Sequence, residues 1–545
     1  MHRKLREAYH AILAQEEGYI RKDPGGRIRI ALAYPNTYYV GMSNLGLHAM
    51  YCLFNARPDT LCERVFVSSP EVPRMRSDST KPLVTLESQT PVRDFDILAF
   101  SCSFENDYLG CLGILEMSGI PLRSSDRNET HPLVVMGGAC TFFNVEPMAS
   151  FIDCFLCGEG ELLGQEFLDA YRDWVESGGG KEDLLLGLRR IEGMYIPSLY
   201  DYRYDGKGRI SGIRVLRDAP DRIHARITEN LDRFETSTAI FNRHSEFSGM
   251  YLVEVSRGCP RGCNFCLLSR IYKPFRQRGV DSLFPMVKKG LTRRERIGLV
   301  GASLTDYAYL EELCQGIRAL GGKVSLCSLR ADHLTDGLLD VLVQSDVKTV
   351  TLAPETGSEQ LRASIGKADM TDDRIMDGVE RLVHRGIPLL KLYFMVGLPG
   401  ETPQDVEAII RLVKRIRHCA VQAGKGKRGF RQIALSVSSF VPKPLTRFQF
   451  HPMESTEHLA GKIGYIVRET RLLRGITCTH DVPKWSYIQA LLSRGDRRVG
   501  EILLQAHQEH GNWHRAFRSV NLSPDFYLFR EIHEQDIPPW ALWMP

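Results

Sequence analysis

Three cysteines lie close together in one short segment, Cys259, Cys263 and Cys266, with three and two residues between them. The apolar run at residues 251–255 predicts a strand that delivers them, and the glycines and proline around them indicate a loop. Three thiolates in one loop suit three irons of a four-iron cluster better than tetrahedral zinc, which takes four ligands. The fourth iron would be open to a substrate or cofactor. The alternative is three buried structural cysteines, since free cysteine is often buried.

The pattern Cys259-x-x-x-Cys263-x-Phe265-Cys266 after a strand resembles the signature of the radical S-adenosylmethionine (SAM) superfamily. In that family the open iron binds SAM, and the reduced cluster cleaves SAM to methionine and a 5'-deoxyadenosyl radical, which takes a hydrogen atom from the substrate. The resemblance implies a 4Fe-4S cluster, SAM and a reducing electron donor of the flavodoxin or ferredoxin type. Phe265 is expected to pack near the cluster or the adenine.

The resemblance continues through residues 246–450, where six strand and helix units predict a partial (β/α)6 barrel. Ser303 and Asp306 follow a strand at the position where the family often binds the SAM amino group. Gly397 and Pro399 belong to a Gly-Leu-Pro-Gly-Glu-Thr turn, which the resemblance places beside the adenine.

Two further segments of the barrel supply SAM candidates. Ser328 and Arg330 follow the next strand and are expected inside the barrel. Arginine can hold a carboxylate through two hydrogen bonds, so Arg330 is a candidate for the SAM carboxylate. A structural ion pair of Arg330 with Asp332 or Glu355 is the alternative. Glu355 itself ends a strand and resembles the family acid that faces the SAM ribose or amino group.

The first part of the chain, residues 1–185, alternates short apolar runs with helix-like segments. This alternation predicts an α/β domain with a doubly wound parallel sheet, whose ligands lie at the carboxyl ends of the strands. Small or polar residues fall at those ends and are candidates for cofactor binding: Ser101, Gly137, Gly138, Gly158 and Glu159.

This domain resembles the cobalamin-binding-type domain that precedes many radical SAM barrels. The resemblance implies cobalamin as a further cofactor. The Asp-x-His-x-x-Gly element, which supplies a histidine to cobalt in methyl-transferring cobalamin proteins, is absent, and His48 lacks that context. Cobalamin-dependent radical SAM enzymes often lack the element too. A domain that keeps the fold without the corrinoid is the alternative.

Two other regions complete the predicted organisation. Residues 186–245 predict a β extension, because Asp205-Gly206 between alternating runs is a hairpin signal. Residues 451–545 predict a small helical C-terminal region. The segments Leu-Ser-Arg-Gly-Asp-Arg-Arg at 492–498 and Val-Pro-Lys-Pro-Leu-Thr-Arg-Phe-Gln at 441–449 resemble an uncharacterised branch of cobalamin-domain radical SAM proteins, so the resemblance runs almost end to end.

Composition limits the classes of function. The chain has 545 residues, a formal net charge of +4 and fourteen cysteines. The small charge does not indicate nucleic acid as the main partner. Cysteines without paired spacing predict a reducing compartment, and no apolar signal or spanning segment is found, so the expected location is cytoplasmic.

Two functions are consistent with these features. The first is a radical SAM enzyme that methylates an unactivated carbon through cobalamin. The second is a cobalamin-independent radical SAM enzyme that modifies RNA or protein, with the N-terminal domain as a substrate module. The sequence identifies no substrate, and no catalytic acid, base or radical relay outside the SAM site.

Overall fold

A computed structural model describes residues 3–68, 82–327, 329–330, 333–424 and 429–544. The protein is an α/β fold with three sheets of mostly parallel strands and two short antiparallel pairs. Within the described residues, no helix has the length and apolar character needed to span a membrane.

The first sheet has six strands in the order β2-β1-β3-β4-β5-β6, all parallel except the last. The runs of β3 and β4 are almost continuously apolar, as in parallel sheets whose two faces are both covered. The order reverses between β1 and β3, and such a switch point is where open α/β sheets bind ligands. The strands are β1 (Ile28–Thr37), β2 (Thr60–Ser68), β3 (Ile97–Ser101), β4 (Leu133–Gly137), β5 (Cys154–Leu156) and β6 (Met194–Tyr195).

Among the residues that the structure describes, six helices accompany this sheet. The thiols of Cys154 and Cys157 lie fully in the core beneath them, as expected of an apolar strand. The helices are α1 (Arg3–Leu13), α2 (Tyr38–Gly41), α3 (Leu45–Ala56), α4 (Tyr108–Ser118), α5 (Gly160–Ser177) and α6 (Lys181–Leu188).

A hairpin links the first sheet to the rest of the chain. Its strands are β7 (Tyr200–Tyr204) and β8 (Ile210–Val215), which pair antiparallel. The hairpin predicted at Asp205-Gly206 is therefore confirmed.

The cysteine segment follows this hairpin and opens a second run of strands. One parallel sheet has the order β13-β12-β9, a second has the order β14-β15-β16-β17, and Leu329 bridges to Leu352 between them. Strands β10 and β11 form a separate antiparallel pair. The bounds are β9 (Tyr251–Glu254), β10 (Ser256–Arg257), β11 (Arg276–Gln277), β12 (Arg296–Val300), β13 (Lys323–Leu326), β14 (Thr349–Glu355), β15 (Leu389–Val396), β16 (Gln432–Ser439) and β17 (Ile476–His480).

Strand β17 corrects the prediction that residues 451–545 are helical. This segment pairs in parallel with β16 and adds a fourth strand to the sheet. Its β-branched residues favour a strand, but only Ile476 is buried. The sequence signal was weak because the strand is five residues long and lies between two helices.

Helices alternate with these strands and then form most of the C-terminal region. Helix α13 begins with a capping box, in which Thr402 and Asp405 bond each other's backbone and Pro403 occupies the first turn. The helices are α7 (Leu268–Ile271), α8 (Val280–Leu291), α9 (Leu310–Ala319), α10 (Asp336–Gln344), α11 (Glu359–Ser364), α12 (Asp372–His384), α13 (Pro403–Ala423), α14 (Thr456–Arg471), α15 (Pro483–Arg494), α16 (Val499–Gln508), α17 (Trp513–Ser519) and α18 (Asp525–Leu528).

The end of the chain packs back onto the first sheet. The side-chain amide of Asn144 donates to the carbonyls of Ser493 and Gly495, both at 2.9 Å. The indole of Trp543 donates to the carbonyl of Thr141 at 3.1 Å. The C-terminal helices are thus part of the wall of the first domain.

Candidate functional site

The cysteine loop begins where β10 ends and leads into α7. Gly258 has φ +83°, and a Cβ there would lie 2.2 Å from the carbonyl oxygen of Tyr272. Only glycine fits this close approach. Cys263 is buried, and Cys259 and Cys266 are half-buried. All three thiols are free.

A second segment of backbone holds the loop from the other side. The N–H of Asn264 donates to the carbonyl of Ile365 at 2.9 Å, and its side-chain amide donates to the carbonyl of Ser364 at 2.7 Å. Gly366 has φ +84°, and a Cβ there would lie 3.2 Å from the Cα of Cys263. The turn after α11 therefore fixes the middle of the cysteine loop.

The donor set fits iron and sulfide chemistry. Burial raises the pKa of the Cys259 and Cys263 thiols, so binding a metal must remove protons from them. Within the described residues no three Cys, His, Asp or Glu side chains surround one point closely enough to hold a single metal ion. Three thiols in one loop match the ligands of an iron-sulfur cluster.

Ser303 and Asp306 lie together and contact the cysteine loop. The Ser303 hydroxyl donates to Asp306 Oδ2 at 2.6 Å, and Nε of Arg261, a loop residue, lies 3.1 Å from both carboxylate oxygens. Burial would raise the pKa of Asp306, but the bonds from Arg261 and Ser303 outweigh it and hold that pKa below its usual range. Asp306 is thus already paired with the loop.

Arg330 forms an ion pair that the sequence did not identify. Its Nη2 lies 2.6 Å from Asp369 Oδ2, and Nη1 of Arg261 lies 3.2 Å from the same oxygen. The sequence alternatives for the partner were Asp332 and Glu355. Glu355 instead pairs with Lys367, whereas Asp332 and Ser328 lie outside the described residues.

Glu355 ends β14 in an uncommon backbone conformation. Its φ is +67°, a value that costs energy for a residue with a side chain and recurs at functional sites. Lys367 Nζ donates to Glu355 Oε1 at 2.7 Å and to the carbonyl of Ala353 at 2.8 Å. The same ammonium lies 5.9 Å from the ring of Phe265. Glu355 and Phe265 are therefore brought close together by Lys367.

Phe265 also packs into a small apolar cluster with Leu361, Ile365, Leu398 and Phe440. This cluster joins the cysteine loop to the turn that follows β15. The aromatic side chain before Cys266 thus anchors the loop to the sheet. Its proximity to a cofactor stays a prediction.

The turn with Gly397 and Pro399 packs against α14. Gly397 has φ +84°, and a Cβ there would lie 2.7 Å from Leu459. Its N–H donates to Glu401 Oε2 at 2.8 Å, and Lys462 donates to the same oxygen at 2.7 Å. Gly397 is therefore needed because Leu459 of helix α14 packs directly against it.

One cavity of about 500 Å³ lies between the first sheet and the cysteine segment. On the first side it is lined by all five residues predicted there: Ser101, Gly137, Gly138, Gly158 and Glu159. On the second side it is lined by residues 256–258, next to Cys259, and by residues 300–302, next to Ser303. The predicted corrinoid site and the start of the predicted cluster loop thus share one space.

The cavity extends as a slot along one face of the first sheet. Alternate strand residues line it, among them Leu32, Ala99 and Val135. Ala49 of α3 and Phe167 of α5 also line it. The hydroxyl of Ser256 is buried in the second wall without a hydrogen-bond partner among the described residues. Such an orphaned polar atom fits a bound ligand. The slot and this hydroxyl together suit a large, mostly apolar group with a few polar contacts.

Glu159 accepts hydrogen bonds from several protein groups in the wall of the cavity. Arg276 donates to both carboxylate oxygens, at 2.6 and 2.8 Å, and Nη1 of Arg257 lies 3.0 Å away. The N–H of Thr228 donates at 2.9 Å. The carboxylate lines the cavity, and most of the bonds that it accepts from the protein go to Oε2.

His48 does not line this cavity. Nδ1 accepts from the N–H of Ala239 at 3.2 Å, and Nε2 lies 3.1 Å from the carbonyl oxygen of Met42. Burial is the largest effect on this ring and lowers its pKa to about 4. It is a satisfied core histidine in the described structure.

Sequence reasoning missed Arg257, Arg261, Gly366 and Lys367. A signal existed for Arg261, since a charge between two of the cysteines must be paired if the loop is half-buried. Gly366 has the common signal of glycine after a helix. Nothing local marks Lys367, because its partner Glu355 comes from another element.

Asp107, beside the ends of β1 and β3, gives a pH-dependent prediction. Burial raises its pKa to about 6, although Asn36 donates to Oδ1 at 2.7 Å. The folded state then binds more protons than the unfolded state between about pH 4 and 6, so the free energy of unfolding falls as the pH rises through this window. We expect Asp107→Asn to remove up to ~3 kcal/mol of this dependence. Urea unfolding at pH 4, 5, 6 and 7 tests it, with exposed Asp94→Asn as the control. Parallel profiles for Asp107→Asn and the unaltered chain would contradict the prediction.

Two family models match the chain. Residues 46–197 match the model described as "Radical SAM proteins, N-terminal". Residues 253–413 match the model described as "Radical SAM superfamily". Together the matches span more than half of the 545 residues.

Two curated proteins illustrate what the chain is similar to in sequence. An uncharacterized protein of Methanocaldococcus jannaschii is 29% identical over 482 residues, which are 87% of this chain and 90% of the relative. A protein of a Thermotoga species, named ribosomal protein uS12 methylthiotransferase RimO, is 22% identical over 290 residues, 48% of this chain and 66% of the relative.

Solved structures are more distant. The cobalamin-dependent radical enzyme OxsB, solved with aqua-cobalamin and SAM, has a TM-score of 0.47 and 14% identity, with 71% of this chain and 52% of that chain covered. SuiB of Streptococcus suis has a TM-score of 0.30 and 16% identity over 42% of this chain and 49% of that chain. At these scores neither likeness carries an inference about cofactors. The family models carry the assignment: the chain belongs to the radical SAM superfamily.

Proposed function

We propose that this protein is a radical SAM enzyme that methylates an unactivated carbon with the help of a corrinoid. Cys259, Cys263 and Cys266 hold the 4Fe-4S cluster in this proposal, and the cavity between the domains holds the corrinoid. The observation that carries the corrinoid assignment is the shared cavity, which reaches from the slot along the first sheet to the residue before Cys259.

When bound, the cluster and SAM supply reductive cleavage to a 5'-deoxyadenosyl radical, and the corrinoid supplies a transferable methyl group. The chain's own contribution is position and exclusion of water. Residues 364–366 fix the cysteine loop, and Phe265 anchors it to the sheet. A reductant of the flavodoxin or ferredoxin type would deliver electrons to the cluster.

The SAM contacts are assigned from the same geometry. Asp306 and Asp369 pair with Arg261 and Arg330, so these acids are positioning residues for the loop in this proposal. Glu355, at the end of β14, is the carboxylate assigned to bind SAM, because Lys367 bonds to Oε1 and fixes the orientation of the group. Ser303, whose hydroxyl donates to Asp306, is assigned as a second polar contact to SAM.

The cavity walls suit the corrinoid role. Gly138 has φ +103° and lets the end of β4 pass close to the backbone of Cys102. A Cβ at Gly138 would lie 2.4 Å from the carbonyl oxygen of Cys102. This leaves the edge of the sheet free for a broad ring. The apolar slot would take an extended part of the same ligand, and the Ser256 hydroxyl would meet a polar substituent.

Modification of a protein side chain without a corrinoid is the second candidate. The similarity to a protein named for methylthio transfer to ribosomal protein uS12 favours it, over 48% of this chain. In that case the cavity would hold part of the substrate. The two candidates differ in whether the purified protein retains a corrinoid.

The deciding experiment is an absorption spectrum of protein purified without oxygen, reconstituted with iron, sulfide and hydroxocobalamin, and then desalted. Corrinoid bands together with iron-sulfur absorbance support methyl transfer. Iron-sulfur absorbance without corrinoid bands supports the second candidate. A spectrum with neither contradicts both.

A substitution in the slot makes this test specific to the cavity. Ala49 on α3 lines the slot, and leucine there would fill space that the ligand needs. We expect Ala49→Leu to weaken hydroxocobalamin binding at least about tenfold, as overpacking by ~1.4 kcal/mol or more implies. Iron-sulfur absorbance should be unchanged.

The matched control is Ala56→Leu, the same change at an exposed position on the same helix. Binding is measured by equilibrium dialysis of hydroxocobalamin. Equal dissociation constants for both variants and the unaltered protein would show that the corrinoid does not occupy the slot.

A further inference from the structure

Acids of the first domain meet arginines of the cysteine segment at the wall of the cavity. Six buried or nearly buried side chains form this group, three acids and three arginines, and we call it the junction cluster. It consists of Glu159, Glu161, Glu254, Arg257, Arg276 and Arg278.

Arg257 is the centre of the junction cluster. Its Nε donates to Glu254 at 2.9 Å, Nη2 donates to Glu161 at 2.6 Å, and Nη1 lies 3.0 Å from Glu159. Only 11% of its side chain is exposed. Glu159 and Glu161 belong to the start of α5, whereas Glu254 precedes Arg257 in the chain. The guanidinium is therefore held by both domains at once.

Three bonded edges leave the guanidinium little freedom to move. A planar guanidinium that meets carboxylates along several edges has a fixed position and orientation. Buried ion pairs add little net stability, because desolvation offsets their attraction. A buried group of this kind is better explained by the geometry that it imposes.

The geometry is imposed on the cysteine loop. Arg257 is followed by Gly258, whose backbone is confined against Tyr272, and then by Cys259. The acids Glu159 and Glu161 also line the cavity. A ligand in the cavity would therefore lie against the same two residues whose carboxylates hold Arg257.

We propose that Arg257 is a positioning residue for the cluster loop, and that Glu159 and Glu161 set its position from the first domain. The electronic properties of the cluster then depend on the domain that lines the cavity. This inference rests on the proposed function, in which Cys259 is a cluster ligand.

The test uses two variants of the full chain and one control. Glu161→Gln keeps the size of the side chain and removes one negative charge, and Arg257→Lys keeps the charge and loses the multidentate geometry. The control Glu501→Gln removes an acid from the exposed ion pair with Arg123, at 2.8 Å, which also joins the C-terminal helices to the first domain. Each protein is reconstituted with iron and sulfide, without and with hydroxocobalamin.

Iron content, the electron paramagnetic resonance spectrum of the reduced cluster, its reduction potential and the dissociation constant of SAM are measured. We expect iron content to be kept in all proteins. Glu161→Gln should shift the reduction potential to a more positive value, because one negative charge near the cluster is lost. Arg257→Lys should change the spectrum and weaken SAM binding at least tenfold. Glu501→Gln should match the unaltered protein.

Unchanged spectra, potentials and SAM affinities in both junction variants would overturn the inference while the cluster assignment stands. An unaltered protein that holds no cluster would overturn the proposed function and the inference together. If Arg257→Lys does not fold, Glu161→Gln decides alone, because it changes no volume. A shift of equal size in Glu501→Gln would also count against the junction cluster.

Discussion

We expect replacement of any one of Cys259, Cys263 and Cys266 by alanine to abolish SAM cleavage. Each variant loses one of the three thiols that the proposal assigns to iron. Even loss of a residue behind a metal ligand costs 10- to 100-fold in affinity or activity, so loss of a ligand should cost at least about a hundredfold. The measurement is iron per chain after anaerobic reconstitution, with 5'-deoxyadenosine and methionine quantified by chromatography after reduction with dithionite.

Cys314 and Cys157 supply matched controls, because both thiols are fully buried outside the cysteine loop. Their alanine variants should keep iron and SAM cleavage. Cleavage that persists in all three loop variants would show that the cysteine loop does not hold the cluster. Loss of cleavage in every variant, controls included, would show only that the fold is sensitive to cysteine loss. Iron content would distinguish loss of a cluster ligand from such general damage to the fold.

Arg497→Met is expected to destabilise the folded chain strongly. Glu146 is fully buried between the first sheet and the C-terminal helices, and Nε of Arg497 donates to its Oε2 at 2.9 Å. The hydroxyl of Tyr195 donates to the other oxygen. Removal of the guanidinium leaves a buried carboxylate without its cation, which costs about 3–5 kcal/mol.

This variant should also change the pH dependence of stability. Burial raises the pKa of Glu146 despite the opposing effect of Arg497, and without Arg497 that pKa rises further. When a carboxyl group has a higher pKa in the folded state than in the unfolded state, the free energy of unfolding falls as the pH rises above the pKa of the unfolded state. The deficit of Arg497→Met should therefore be larger at pH 7 than at pH 5. Thermal unfolding followed by circular dichroism at both values measures it.

The double variant Glu146→Gln/Arg497→Met is the control. With the charge removed from both partners, the desolvation cost of the carboxylate disappears and part of the stability returns. If Arg497→Met has the same unfolding temperature as the original chain, the prediction is wrong, and water can then replace Arg497 as the partner of Glu146.

Local patterns predicted much of the fold. The apolar run of β1 and the Gly-Gly at the end of β4 can each be recognised from a few consecutive residues. The structure places Ser101, Gly137, Gly138 and Gly158 in one wall of the cavity. Parallel strands bring their carboxyl ends to one edge, so strand ends could be grouped from sequence alone.

Pairing partners could not be predicted in the same way. Glu159 has the local setting of a ligand-binding acid, yet Arg276 occupies it from more than a hundred positions away. Arg330 pairs with Asp369, which comes from a distant part of the chain. The partner of each charged side chain depends on how two loops approach one another. A buried charge needs an opposite charge nearby, and it pairs with the one that the packing of the loops places there.

The bonds of Asn144 and Trp543 affect how the chain folds during synthesis. The wall of the first domain includes groups that are translated about 350 to 400 residues later. That domain therefore cannot complete its packing while the ribosome is still producing the strands and helices that follow the cysteine loop. Contacts of such high sequence separation slow folding. A fragment cut after the first sheet would expose the surface that the last helices cover. Heterologous expression of that domain alone should therefore yield aggregation-prone material, and the whole chain is the unit to express.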